Sequence, residues 1–207
     1  MLQSKKTDLT DPKELKMHEK DFPKYVAFFR GINVGGKNKV KMADLKQLFH
    51  DCGFRDVITY IQSGNVIFKS DEDKSLLPDV ISHAFEKRFA FLSHVILRSG
   101  DEISAIMSAL PFSKEEIEQA EAKNPEVEHV YVFMANDYID PAAVETLCSA
   151  YDGEDKLSVG KRELYLLCYH SIRDSKLATS LSKLGVSLTS RNQKTMLKIC
   201  ELLDADS

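Results

Sequence analysis

Hydrophobic positions along this chain switch between a period of two and a period of about 3.6, and the order of the switches occurs twice. "YVAFF" (25–29) reads as a strand. Beyond a loop rich in Gly and Lys, Met42, Leu45, Leu48, Phe49 and Cys52 fall on one helical face, which Gly53 ends. "DVITYIQ" (56–62) and "NVIFK" (65–69) read as strands joined tightly at Ser63-Gly64, a hairpin. Leu77, Val80, Ile81, Ala84 and Phe85 make a second helical stripe, "HVIL" (94–97) a strand, and Ile103, Ile106, Met107 and Leu110 a trailing helix.

The second half repeats this order. "HVYVFMA" (129–135) reads as a strand, and a helix runs from Asp140-Pro141 to about Ala150. The hairpin "DKLSV"/"RELYLLCY" turns at Gly160-Lys161, and Leu177, Leu181 and Leu184 mark the next helix. A short strand, "VSLT" (186–189), precedes a trailing helix carrying Met196, Ile199, Cys200 and Leu203. The two halves start about 104 residues apart, at Tyr25 and His129. Each trailing helix opens on a capping-box pattern, Ser99…Glu102 and Ser190…Gln193.

The order β-α-β-β-α-β is that of a split βαβ unit. The expectation is therefore an α+β protein of two tandem ferredoxin-like units, residues 23–112 and 113–207, each an antiparallel sheet with helices packed on one face. Residues 1–22 form a charged N-terminal extension in which Asp11-Pro12 and Glu14 read as a helix start.

Composition narrows the class. The chain has 207 residues, 43% hydrophobic and 29% charged, which suits a soluble globular protein. Its net charge of −4 provides no global field for nucleic acid or anionic membrane. The longest apolar run, "VYVFMA", falls far short of the roughly 20 residues a membrane span needs. The N-terminus has no signal-peptide core, so a cytoplasmic location is expected. Cys52, Cys148, Cys168 and Cys200 have no C-x-x-C spacing and read as small buried side chains in a reducing compartment. The histidines make no ligand spacing either, so no metal is expected, and no motif names a cofactor.

Three stretches, "RGINVGGKNKVKM" (30–42), "TYIQSGNVIF" (59–68) and "TSRNQKT" (189–195), resemble in order and spacing the bacterial family known as domain of unknown function 1697. The resemblance covers about residues 24–203. It implies a tandem pair of ferredoxin-like units and no particular activity. The family's last motif usually reads Arg-Asn-Trp. Gln193 stands here in place of the tryptophan, and the chain has none.

"GINVGGKN" (31–38) fits a P-loop at every position but the last, where Asn38 replaces Ser or Thr. A P-loop helix starts at the G-K-[ST] itself, whereas the apolar stripe here starts only at Met42. The fold order is also wrong for one, so an ordinary P-loop is excluded. What remains is local charge: Arg30, Lys37, Lys39, Lys41 and Lys46 against Asp44 alone, +4 within a chain of net −4. Glycines 31, 35 and 36 would let backbone N–H groups approach an anion. Arg191 is placed in the first turn of its helix, where the macrodipole disfavours a cation unless an anion recruits both. The bland alternative pairs Arg191 with an internal carboxylate such as Asp56 or Glu163.

The expected site is thus a polar, locally basic one made of Arg30, Asn33, Gly35, Gly36, Lys37, Asn38 and Lys39, the hairpin residues Gln62, Ser63 and Asn65, and the pair Arg191 and Asn192, meeting between the two units. Its ligand would be an anionic small molecule or nucleotide, with nucleic acid a weaker option and no membrane. Two alternatives stay open: an enzyme acting on a phosphorylated small molecule or nucleotide, and a protein-interaction or self-associating module.

Overall fold

The structure is a computed structural model that describes residues 22–205. The helix start expected at Asp11-Pro12 lies outside the described residues. Elements follow in the order β1 (Lys24–Phe29), α1 (Met42–Asp51), β2 (Arg55–Tyr60), β3 (Asn65–Lys69), α2 (Leu77–Phe89) and β4 (Val95–Ser99). Next come α3 (Gly100–Ser108) and α4 (Lys114–Lys123). The second half has β5 (Val130–Met134), α5 (Pro141–Ser149), β6 (Lys156–Val159), β7 (Glu163–Leu167) and α6 (Lys176–Ser180). A 3-10 turn (Leu181–Leu184), β8 (Thr189–Asn192) and α7 (Gln193–Asp204) complete it.

The strands form two four-stranded sheets, ordered β2-β3-β1-β4 and β6-β7-β5-β8. Every pairing is antiparallel. The registers correspond: Phe28 faces Asn65 and Val26 faces Arg98 in the first sheet, as Met134 faces Glu163 and Val132 faces Arg191 in the second.

β1 is apolar at successive positions because both of its faces are buried. Tyr25, Ala27 and Phe29 join Leu45 and Phe49 of α1 and Ile81 and Phe85 of α2. In that layer the ring centroids of Phe29 and Phe85 lie 4.9 Å apart and those of Phe49 and Phe68 5.1 Å apart. Each such ring buries the equivalent of about 1.5–3 kcal/mol. Val26 and Phe28 face the other way, onto Ile103 and Ile106 of α3, Met196 and Ile199 of α7, and Val132 and Met134 of β5. The expectation of helices on one face of each sheet is therefore incomplete. The trailing helices and the opposing sheet cover the second face, and the two sheets share one core.

Four local expectations change. β2 ends at Tyr60, so the hairpin tip is Ile61–Gly64 rather than a tight Ser63-Gly64 turn. β8 lies three residues later than expected because Thr189–Asn192, not 186–189, pair with β5. The cap of α7 is consequently Asn192, whose side chain accepts from the Thr195 N–H, and no Ser190…Gln193 box forms. Of the cysteines only Cys168 is buried; the other three are half-buried, and all four are free thiols.

Candidate functional site

The loop after β1 is shaped by its own polar side chains. Ile32 and Val40 are buried and anchor it at both ends. Between them Asn33 and Asn38 take left-handed backbone conformations, as do Gly35 and Gly36. Asn33 braces the loop. Its Nδ2 donates to Val40 O and Gln62 O, both at 2.9 Å, and its Oδ1 accepts from Val40 N at 2.8 Å. Asn38 Nδ2 donates to Gly31 O at 3.1 Å. α1 begins at Met42 without a side-chain cap, as the apolar stripe predicted.

This loop, the β2–β3 hairpin tip and the approach to β8 meet. Asn33 ties the first two together through Gln62 O. Phe29 N donates to Gly64 O at 2.9 Å, and Arg30 Nη1 donates to Ser187 Oγ at 2.7 Å. The three motifs are thus neighbours, though their side chains have different tasks. Arg30, Gly35, Gly36, Lys37, Asn38, Lys39 and Gln62 are exposed, and Ser63 is half-buried. Among the described residues, none of the cations from Arg30 to Lys46 forms an ion pair, although nine such pairs occur elsewhere.

Asn65 and Arg191 are different. Both are buried, Asn65 at 0% and Arg191 at 7% exposure. Arg191 lies in β8 rather than in a helix, which removes the macrodipole argument for it. Its Nε donates to Asn65 Oδ1, Nη2 to Ser63 O (2.8 Å), Phe29 O (3.2 Å) and Gly64 O (3.3 Å), and Nη1 to Ser190 O (2.7 Å) and Thr189 Oγ1 (3.1 Å). Burial pulls its pKa down from the usual arginine value to about 10, so it remains a cation at neutral pH. Neither expected acid reaches it: Asp56 pairs with Lys69 and Glu163 with Arg98. Asn192 caps α7 and is occupied there.

Arg98 escaped the sequence reading. It sits at 0% exposure in the otherwise apolar strand "VILRS", and a cation in such a strand was the one available signal. Its Nε and Nη2 donate to Glu163 Oε1 at 3.2 and 3.1 Å, and Nη2 also donates to Ala135 O at 2.6 Å. Nearby, Glu102 bridges Lys74 and Arg162, both at 2.7 Å, beside a cleft of about 520 Å³ between α3 and the β6–β7 hairpin.

A family model described as "Protein of unknown function (DUF1697)" matches residues 22–165. The structure of "conserved bacterial protein SP0830 from Streptococcus pneumoniae" is similar at a TM-score of 0.67 and 28% identity, over 88% of this chain and 99% of that one. No curated protein matches.

Proposed function

The chain belongs to the DUF1697 family, and from that premise we propose that it is a cytoplasmic anion-binding protein of two tandem ferredoxin-like units, residues 23–112 and 113–207. In both sheets the first strand is central between the third and fourth, with the second at the edge, which supports the ferredoxin-like reading. The matching registers support an internal duplication. Four free thiols suit a reducing compartment, and no helix among the described residues is long and apolar enough to cross a membrane.

The binding reading rests on one observation: exposed cations that form no ion pair among the described residues, on a loop whose backbone is already set. Arg30, Lys37 and Lys39 contact the anion, and the N–H groups of Gly35 and Gly36 approach it without a Cβ in the way, while the Lys37 N–H closes the turn on Val34 O. Gln62 and Ser63 flank it. Asn33 and Asn38 hold the loop, while Asn65 and Arg191 hold the hairpin beneath. Cations and hydrogen-bond donors are what holding an anion requires, which favours the binding reading.

Thermal-shift and calorimetric titration with pyrophosphate, nucleotides, coenzyme A and short oligonucleotides test this. Lys37→Ala with Lys39→Ala should weaken the best ligand at least tenfold, roughly 1.4 kcal/mol. A steep salt dependence would identify a nucleic-acid backbone instead of a small anion. Unaltered binding by the double variant overturns the reading.

A further inference from the structure

Arg98 and Arg191 hold corresponding places and make corresponding bonds. Arg98 Nη2 reaches Ala135 O and Arg162 O of the other sheet, as Arg191 Nη2 reaches Phe29 O and Gly64 O. Nη1 of each bonds the carbonyl of its preceding residue, Leu97 or Ser190. The main difference lies in the charge of the partner across the sheets. Where Arg98 Nε meets the carboxylate of Glu163, Arg191 Nε meets the neutral amide oxygen of Asn65.

A buried guanidinium without a counter-charge is costly, and the usual remedy is the carboxylate that Arg98 has. Around Arg191 six oxygens from Asn65, Ser63, Gly64, Phe29, Ser190 and Thr189 solvate the charge, and the Phe28 ring lies 5.4 Å from its Cζ. These neutral groups satisfy its hydrogens and leave its net charge in place. Among the described residues no carboxylate forms an ion pair with it, and burial lowers its pKa. Two of the carbonyls it binds, Phe29 O and Ser63 O, belong to residues adjoining Arg30 and Gln62 of the loop site. The charge is therefore held one residue from the loop site on two sides, and because the anion position is exposed its effect is greatest at low ionic strength.

We propose that Arg191 is a specificity-determining residue of the anion site, an uncompensated buried charge, kept so by Asn65, that raises the affinity of the Gly/Lys loop for anions without touching them. This rests on the loop being the anion site. A unit charge about 10 Å away at an effective dielectric of about 20 is a factor of roughly ten to twenty in binding.

The test adds a carboxylate beside Arg191 and compares each acidic variant with a neutral one lacking the same native group. Asn65→Asp is compared with Asn65→Ala, and Thr189→Asp with Thr189→Val. The second pair leaves the hairpin amide intact should the first fail to fold. Calorimetry with inorganic pyrophosphate at low ionic strength is the readout. Each aspartate variant should bind about tenfold weaker than its neutral counterpart. If wild type binds pyrophosphate and acidic and neutral variants of a folded pair bind alike, the role of Arg191 is overturned while the loop reading stands. If wild type binds no anion, or the loop lysines do not matter to it, the loop reading fails and takes this one with it.

Discussion

Arg98 Nε lies 3.2 Å from Glu163 Oε1, joining a buried cation of one sheet to an acid of the other. Arg191 makes the reciprocal crossing to Asn65, so each sheet is clasped by an arginine from its partner. Strand β4 projects the first arginine and strand β8 the second, each from the position just before the cap of its trailing helix. Both bonds sit at the N-terminal ends of β3 and β7, so a single geometry fixes the sheets, the hairpin tips and the trailing helices relative to one another.

The Arg98–Glu163 pair should show strong coupling. Arg98→Met leaves the Glu163 carboxylate with the Arg162 N–H but without its ion-pair partner, and should lose about 3–5 kcal/mol. Glu163→Leu strands Arg98 in the same way. The double variant should lose clearly less than the sum, since no charge is left uncompensated. Urea denaturation of the four proteins gives the coupling energy, and a value near zero would exclude a working ion pair.

Ile61 carries local strain. It has φ of +48°, unusual for a β-branched side chain, and is 45% exposed at the hairpin tip. Ile61→Asn should therefore stabilise the protein by about 1 kcal/mol, the left-handed penalty less the burial lost. A lower denaturation midpoint for this variant would mean the side chain is held by packing that outweighs the strain.

Much of this was legible locally. The apolar stripes gave α1, α2 and the trailing helices, and the Ser99…Glu102 box forms as its spacing required. The three polar motifs do meet. Three features resisted for identifiable reasons. Val186 and Leu188 look like a strand because they pack in a side cluster with Ile139 and Leu181, while the real pairing begins at Thr189. α4 hides in a charged stretch because Ala120 is its one buried residue, although Ser113 and Glu116 make a full capping box. The partner of Arg191 is set by a contact across 126 positions, and no local pattern distinguishes an amide there from an acid.

Alkaline pH should loosen the fold from about pH 9. Burial pushes the Cys168 thiol up to about 12, and the Tyr131 and Tyr165 hydroxyls likewise to about 12. Above pH 9 the unfolded chain loses the thiol proton that the native state keeps, so stability falls with rising pH, by about 1.4 kcal/mol per unit for one group. Tyr131 and Tyr165 add to the fall above pH 10, and the lowered pKa of Arg191 opposes it there. Burial raises the Cys52, Cys148 and Cys200 thiols as well, so between pH 9 and 10 Cys168→Ala should reduce the fall of the urea midpoint rather than abolish it. A slope unchanged by the substitution would reassign the effect.

Gly64 and Gly36 have the same φ, +76°, and should respond to alanine very differently. A Cβ on Gly36 meets nothing within 4 Å, so Gly36→Ala bears only the left-handed penalty of about 1–2 kcal/mol. A Cβ on Gly64 would lie 2.5 Å from Ile32 Cδ1 and 2.9 Å from Phe29 Cβ. The Ile32 terminus can rotate, but Phe29 Cβ is fixed by its strand, and the Gly64 carbonyl is itself held by Phe29 N and Arg191 Nη2. Relief then requires the hairpin tip to move away from β1, which adds an overpacking cost of about 1–3 kcal/mol. Gly64→Ala should therefore lose about 3 kcal/mol in urea denaturation, about twice the loss of Gly36→Ala. Equal losses for the two would mean that the loop and the hairpin tip do not pack as closely as the Gly64 contacts require.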